Sequence, residues 1–156
     1  MRLTDILSAD RVLVADTGQP ISSKNEAMLR LSELLARGSG TDASTLFKVL
    51  ADREELQSTG IGDGVAIPHG SMDSLDQQTA AVLLCPQGIE FDSIDGRPAR
   101  IVIGVVGPKR ATGEHLRMLA RISRLLRDGA FRDRLLSSPD GPAAFTVIRA
   151  EEESRA

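Results

Sequence analysis

Two apolar segments, residues 79–85 and 99–106, constrain the fold of this chain more than any other feature of its sequence. A strand with one exposed face alternates polar and apolar side chains, whereas a strand covered on both faces is apolar throughout. Both segments are bounded by turn residues, among them the Asp95-Gly96 pair that lies between them. The sequence therefore predicts two central strands of a sheet that other elements cover on both sides.

Helical patterns lie before and after these strands. Ser23 and Glu26 have the spacing of a capping box, which predicts a helix to about residue 37 that ends at Gly38. Asp42 is the predicted start of a second helix, which runs to about Leu56. A third helix is predicted over 113–127, and two shorter ones around Phe131 and Phe145, separated by residues 139–142.

An early strand at 11–16, followed by two successive helices and then by the apolar strands, indicates an α/β fold. Because two helices follow each other before the next strand, the chain is not a plain βαβ repeat. We expect a three-layer α/β/α sandwich around a mixed sheet. Residues 1–150 fit a single domain of ordinary size, and the polar residues 151–156 are expected to form a tail that frays.

Composition excludes several classes of function. The net charge is −3, and the chain has no Trp or Tyr, which argues against nucleic-acid binding because that binding needs clustered cations and stacking rings. No apolar run approaches the roughly 20 residues of a membrane helix, and no signal segment is present. The single cysteine, Cys85, cannot form an internal disulfide. We expect a cytoplasmic protein without membrane insertion.

Residues 58–70 read STGIGDGVAIPHG and form the most unusual segment of the chain. Three of its glycines, Gly60, Gly62 and Gly64, permit backbone conformations in which successive N–H groups form an anion-binding nest. With Ser58 and Thr59 they are the candidate phosphate-binding residues, and a flexible surface loop is the alternative. The segment lacks the lysine of a phosphate-binding P-loop, so it is not such a loop. It also follows a helix rather than a strand, so it is not a dinucleotide fingerprint.

His69 lies between Pro68, which fixes the backbone, and Gly70, which leaves one flank open. A neutral imidazole is nucleophilic and titrates near physiological pH, so an uncrowded His69 beside an anion nest suits phosphoryl acceptance. An ordinary surface histidine remains the alternative.

Arg53 falls on the inward stripe of the second helix with Leu46 and Val49 or Leu50, at the C-terminal end of that helix. A charge there needs a partner, which is either a carboxylate, the terminal carbonyls of the helix, or a phosphate that matches the guanidinium fork. His115 shares a stripe with Met118 in the first turn of the third helix, where backbone N–H groups favour anions. A satisfied core histidine is its alternative.

These residues resemble a known family. Residues 53–54 and 58–70, with 91–98 and 113–116, are similar to the IIA domains of the mannitol, fructose and nitrogen-regulatory class of the bacterial phosphotransferase system. The resemblance spans nearly the whole chain. It implies an α/β/α sandwich with a mixed sheet of about five strands, phosphorylation of His69, and phosphate contacts from Arg53 and His115.

The resemblance also implies partners. Such domains take phosphate from a small histidine-phosphorylated carrier of the HPr type, without a cofactor, and pass it to a IIB domain or, in the nitrogen-regulatory branch, act by binding target proteins. The sequence of residues 58–70 favours the nitrogen-regulatory branch, and a fructose- or mannitol-type component is the alternative. A metal site of His69, His115 and Asp63 or Asp73 lacks any ligand spacing that would support it.

Overall fold

Strands β5 (Thr79–Ile89) and β6 (Ala99–Pro108) form the centre of the sheet in the computed structural model, which describes residues 1–16, 18 and 20–155. They pair antiparallel, with Thr79 opposite Val106 and Leu84 opposite Ile101. Nearly all side chains of the two predicted segments are buried. The prediction of two central strands is confirmed, and both strands are longer than expected.

The sheet is mixed, as predicted. Its strand order is β1-β5-β6-β3-β2, where β1 is Val12–Val14, β2 is Gly60–Gly62 and β3 is Val65–Ala66. A sixth strand, β4 (His69–Met72), also pairs with β6 in parallel, opposite residues 105–108. Because β3 pairs with Ile101 and Val102 of the same strand, β3 and β4 lie end to end along β6. The sheet thus has five strand positions.

Helices cover both faces of the sheet, which confirms the three-layer sandwich. Helices α1 (Lys24–Ser39) and α2 (Ala43–Leu56) pack on one face, where Leu31, Leu35, Leu46 and Leu50 are buried. Helices α3 (Thr112–Leu125), α4 (Gly129–Leu136) and α5 (Gly141–Ser154) pack on the other. None of the helices in the described residues is long and apolar enough to cross a membrane.

Two predicted helix boundaries were wrong. Helix α1 continues through Gly38, where a side chain would collide with the Arg11 guanidinium, and it ends at Ser39, before Gly40 with its φ of +74°. Residues 137–140 separate the last two helices, whereas the predicted break extended over 139–142. Pro142 lies in the first turn of α5, because Asp140 caps that helix through the N–H of Ala143. A proline is tolerated in a first turn, where its missing N–H has no helical partner to lose.

The expected frayed tail is also corrected, because α5 runs to Ser154. Its Glu152 is 2% exposed and accepts hydrogen bonds from the backbone N–H groups of Leu3 and Thr4, at 2.8 and 2.9 Å. Arg121 of α3 lies 3.6 Å from the same carboxylate. These contacts order the end of the chain against its beginning. Only Ala156 of the predicted tail lies outside the described residues.

The glycine-rich segment is a β-hairpin rather than the expected loop. Strands β2 and β3 pair antiparallel across a turn in which Asp63 and Gly64 have φ of 57° and 77°. Two successive positive φ angles are typical of the tight turns that match the twist of a hairpin. The glycine that follows Asp63 is therefore needed for the turn.

Candidate functional site

His69 is the first residue of β4, opposite Val105 of β6. Its Nδ1 lies 2.7 Å from the carbonyl oxygen of Ile67. A carbonyl oxygen can only accept a hydrogen bond, so Nδ1 must carry the proton. The neutral ring then has its lone pair on Nε2, which is the nucleophilic nitrogen.

The surroundings of His69 favour that neutral form. Burial lowers the pKa of the half-buried ring, the hydrogen bond to Ile67 raises it, the positive charge of Arg53 lowers it and the negative charge of Glu54 raises it. The net effect is a pKa below the ordinary 6.5. His69 is consequently an unprotonated nucleophile at neutral pH.

His115 lies beside His69, as the sequence predicted, with the two ring centroids 5.8 Å apart and the planes tilted by 52°. It is the fourth residue of α3 and is buried. Its Nδ1 is 2.8 Å from Oε1 of Gln78. Burial, and after it the charge of His69, lowers the pKa of His115 to about 4, so this ring is also neutral at pH 7.

Arg53 reaches the same site from the C-terminal turn of α2. One of its guanidinium nitrogens donates to the carbonyl oxygen of Gln57 at 2.9 Å, which is the helix-end contact that the sequence left open as an alternative. The guanidinium also lines the cavity that contains His69, and its charge acts on that ring. Arg53 therefore combines a helix-end contact with a place beside the nucleophile.

Arg53 and His69 line a cavity of about 340 Å³ whose wall has both polar and apolar residues. Its apolar wall comes from Ile61, Ile94 and Leu119, of which Ile94 is 74% exposed. The remaining wall is formed by residues of α2, β2, β4 and α3 and of the segments that join them: Arg53, Gln57, Ser58, Thr59, Gly60, Ile67, His69 and Ser123. A small anion held beside Arg53 and His69 would therefore share the cavity with apolar side chains.

Three of the five candidate phosphate-binding residues lie in the cavity wall, and their donors have partners within the protein. The Ser58 hydroxyl donates to the carbonyl of Phe91 at 2.7 Å and accepts from the N–H of Gly60. The Thr59 hydroxyl and N–H both donate to the carboxylate of Glu54, at 2.6 and 2.9 Å. Phosphate contact by these residues stays a prediction.

The other two candidates lie away from this cavity. Gly62 packs against the carboxylate of Asp95, and Gly64 forms the hairpin turn, where its carbonyl accepts from the N–H groups of Arg100 and Ile101. The glycines in this segment shape a hairpin that carries Thr59 and Gly60 into the wall. The segment is thus a hairpin whose turn lies away from the cavity, rather than a nest of N–H groups around His69.

Gly70 does not leave an open flank beside His69, as the sequence suggested, because α2 fills the space. A Cβ at position 70 would lie 2.5 Å from Cγ1 of Val49. The missing side chain is what allows α2, and with it Arg53, to approach β4.

We expect Gly70→Ala to destabilise the protein by about 1–3 kcal/mol, because the stiff side chain of Val49 cannot rotate away. Urea unfolding measures the change. Val49→Ala in the same chain should recover much of the loss, since it removes the colliding methyl group. Equal losses with and without Val49→Ala would show that the close contact is not the cause.

The described residues contain no group of three or more His, Cys, Asp or Glu side chains arranged to hold a metal. Asp63, one of the carboxylates considered for such a site, lies in the hairpin turn. Cys85 is buried as predicted, and burial raises the pKa of its thiol to about 11.

Three residues of the site were not predicted from the sequence. Ile67 fixes the tautomer of His69 through its carbonyl, and Gln78 contacts His115. Glu54 links Thr59 to Lys24, whose ammonium lies 2.8 Å from the Glu54 carboxylate. Neither the carbonyl of Ile67 nor the side chain of Gln78 has any signal in the local sequence pattern. Glu54 enters the sequence analysis only as the neighbour of Arg53.

The chain is similar to known proteins over nearly its whole length. The family model described as phosphoenolpyruvate-dependent sugar phosphotransferase system, EIIA 2, matches residues 6–150. A nitrogen regulatory protein of Pseudomonas aeruginosa is 36% identical over 149 residues, which cover 95% of each chain. A fructose-specific EIIA component of Haloferax volcanii is 30% identical and covers 95% of this chain and 97% of its own. The crystal structure of the nitrogen regulatory protein IIA-Ntr from Neisseria meningitidis superposes with a TM-score of 0.84 at 30% identity, over 92% of this chain and 97% of that one.

Proposed function

Because this chain belongs to the EIIA 2 family of the phosphoenolpyruvate-dependent sugar phosphotransferase system, we propose that it carries a phosphoryl group on Nε2 of His69. The observation that carries this proposal is the hydrogen bond from Nδ1 to the carbonyl of Ile67. It leaves Nε2 as the nitrogen with the free lone pair, in a ring that lines an open cavity.

The transfer step balances without a cofactor. The lone pair of Nε2 forms a bond to the phosphorus of a phosphohistidine on the donor protein, and the donor's P–N bond breaks with its electron pair staying on the donor's nitrogen. Nδ1 of His69 keeps its proton, so the phosphorylated ring carries a positive charge that the carbonyl of Ile67 stabilises. The same charge keeps the phosphoryl group ready to leave for the next acceptor.

Positive charge and hydrogen-bond donors near the phosphoryl oxygens stabilise such a transfer. Arg53 supplies a positive charge at the cavity wall, and His115 supplies a ring beside His69. We assign both a supporting role, with His69 as the residue that forms the bond. Ser58, Thr59 and Gly60 of the wall are further candidates for contact with the phosphoryl group.

We assign the chain to the nitrogen-regulatory branch, since a 36% identical relative and a superposed structure at 30% identity both carry that name. On this assignment, the phosphorylated and free forms differ in which target proteins they bind. A fructose- or mannitol-type component that passes phosphate to a IIB domain is the second candidate, and the 30% identical fructose-specific relative favours it.

Phosphorylation should require a protein donor. Incubation with a histidine-phosphorylated carrier of the HPr type should add one phosphoryl group, which mass spectrometry should map to His69. ATP alone should add none, because the described residues around His69 include no P-loop lysine and no metal-binding cluster. Calorimetry with hexoses and hexitols should detect no saturable binding.

Labelling by ATP without a donor protein, or saturable binding of a sugar, would contradict the carrier function. Phosphate mapped to a residue outside the cavity would contradict the proposed site but not a carrier function as such. Labelling from the phosphorylated carrier, followed by transfer to a IIB domain, would favour the second candidate over the regulatory one.

A further inference from the structure

Gln78 is buried between His115 and the end of the central strand β6. It is 3% exposed, and its Oε1 lies 2.8 Å from Nδ1 of His115. The amide packs directly on Gly107, where an added Cβ would lie 2.2 Å from Nε2 of Gln78. Only a glycine at position 107 leaves room for the amide in this place.

The other end of the same amide is unsatisfied. Nε2 of Gln78 has no hydrogen-bond partner among the residues that the structure describes. A buried donor without a partner costs about 1–3 kcal/mol, so an apolar side chain of similar length would suit the packing better. Such groups in native proteins call for a functional explanation.

The contact of Gln78 with His115 supplies a functional explanation for the buried amide. The amide oxygen accepts, so the shared hydrogen belongs to Nδ1 of His115, and the neutral ring has no proton on Nε2. Strand β4 presents His69 with the same tautomer, through the carbonyl of Ile67. Both rings of the site therefore have Nδ1 engaged with an acceptor and Nε2 unprotonated.

We propose that Gln78 is a positioning residue, which holds the proton of His115 on Nδ1 and so reserves Nε2 of His115 for the phosphoryl group on His69. The inference rests on the proposed function. When the phosphoryl dianion arrives, Nε2 of His115 takes one proton from solvent and donates it in a hydrogen bond to a phosphoryl oxygen. Gln78 keeps accepting from Nδ1 throughout, which stabilises the resulting imidazolium.

The charges around His115 are consistent with this order of events. His69 faces it from β4, and a positive charge on that ring would lower the pKa of His115 further below its ordinary value. Arg53 lines the cavity from α2, and Glu114 precedes His115 on α3. The strand β6, against which α3 packs, contributes the apolar side chain of Val105 on this face. A phosphoryl dianion on His69 is then the added negative charge that favours the imidazolium.

The chain has only two histidines, so histidine-selective ¹⁵N labelling gives a spectrum of two rings that reports each tautomer directly. In the unphosphorylated wild type at neutral pH, we expect His115 to be protonated on Nδ1 and not on Nε2. After phosphorylation, both of its nitrogens should be protonated. A wild-type His115 that carries its proton on Nε2 would overturn the inference without any variant.

Two substitutions separate positioning from packing. Gln78→Met removes the acceptor at similar length, and we expect His115 to lose its fixed tautomer and onward transfer to slow on the order of tenfold, with stability little changed. Gln78→Glu keeps an acceptor and adds a negative charge, so Nδ1 should again be protonated and Nε2 should gain its proton even before phosphorylation. Gln87→Met, an exposed position within β5, should leave the spectrum and rate unchanged.

An unchanged His115 spectrum and transfer rate in Gln78→Met, with normal transfer by the wild type, would overturn the inference alone. Failure of the wild type to accept phosphate from any phosphorylated carrier would instead overturn the proposed function, and with it the role of Gln78 in transfer. The tautomer spectra of the unphosphorylated protein distinguish these two cases, since they need no phosphate donor.

Discussion

Replacing His69 with alanine should abolish phosphorylation of the chain by a phosphorylated carrier protein. No other side chain of the described site offers an unprotonated nitrogen at the cavity wall, since His115 is 8% exposed and is not part of the lining. The loss should therefore be complete rather than partial. Mass spectrometry of the intact protein after incubation with the phosphorylated carrier measures it.

His115→Ala is the matched control, because it removes the neighbouring imidazole and leaves the nucleophile. This variant should still be labelled at His69, but slowly or with poor onward transfer. In the wild type the phosphoryl linkage should be labile in acid and stable in base, as expected of a phosphoramidate. Undiminished labelling of His69→Ala would show that another residue accepts the phosphate.

The strands of the central sheet could be predicted because their signal is local. Residues 79–85 and 99–106 are apolar at nearly every position, and this pattern can only be buried on two faces. The hairpin of β2 and β3 could not be predicted in the same way. Its strands have three and two residues, too few for a period to appear, and two of these five residues are glycines.

A residue of the site could be predicted only where the sequence immediately around it indicates its role. His69, Arg53 and His115 were identified from their neighbours and helical spacing together with the family resemblance, and the structure brings His69 and His115 within 5.8 Å. The hydrogen bonds that set the chemistry depend on contacts distant in sequence. Gln78 meets His115 across 37 residues, and only because Gly107 of β6 leaves room for it.

The predicted ends of α1 and α5 were wrong for a related reason. Gly38 has the local signature of a helix end, yet the helix continues because Arg11, from a distant turn, packs against the bare backbone there. Glu152 looked like part of a solvated tail, whereas it binds the backbone of Leu3 at the other end of the chain. In both cases a tertiary contact overrides the local preference.

Arg53→Ala should lower the rate of phosphoryl transfer to His69 by about 10²–10³-fold, which is the usual effect of removing a donor that stabilises charge in the transition state. Arg53→Lys should keep part of the rate, because it keeps the charge but loses the planar fork. Stability should fall by no more than about 1 kcal/mol, since the substitution removes a single hydrogen bond to the carbonyl of Gln57. Single-turnover transfer from the phosphorylated carrier, with urea unfolding beside it, measures both effects.

The pH dependence of transfer distinguishes the charge of Arg53 from its role at the helix end. Burial, first of all, and also the charge of Arg53 lower the pKa of His69, so the nucleophile of the wild type should stay unprotonated until the pH falls below 6.5. Without Arg53 the pKa of His69 should rise, and the loss of rate on acidification should begin at higher pH. Lys48→Ala, on an exposed part of the same helix, removes a cation away from the cavity and should change neither the rate nor the pH profile. If Arg53→Ala behaves like Lys48→Ala, then the guanidinium serves only the end of α2, and the phosphoryl group must be stabilised by His115 and the hairpin wall.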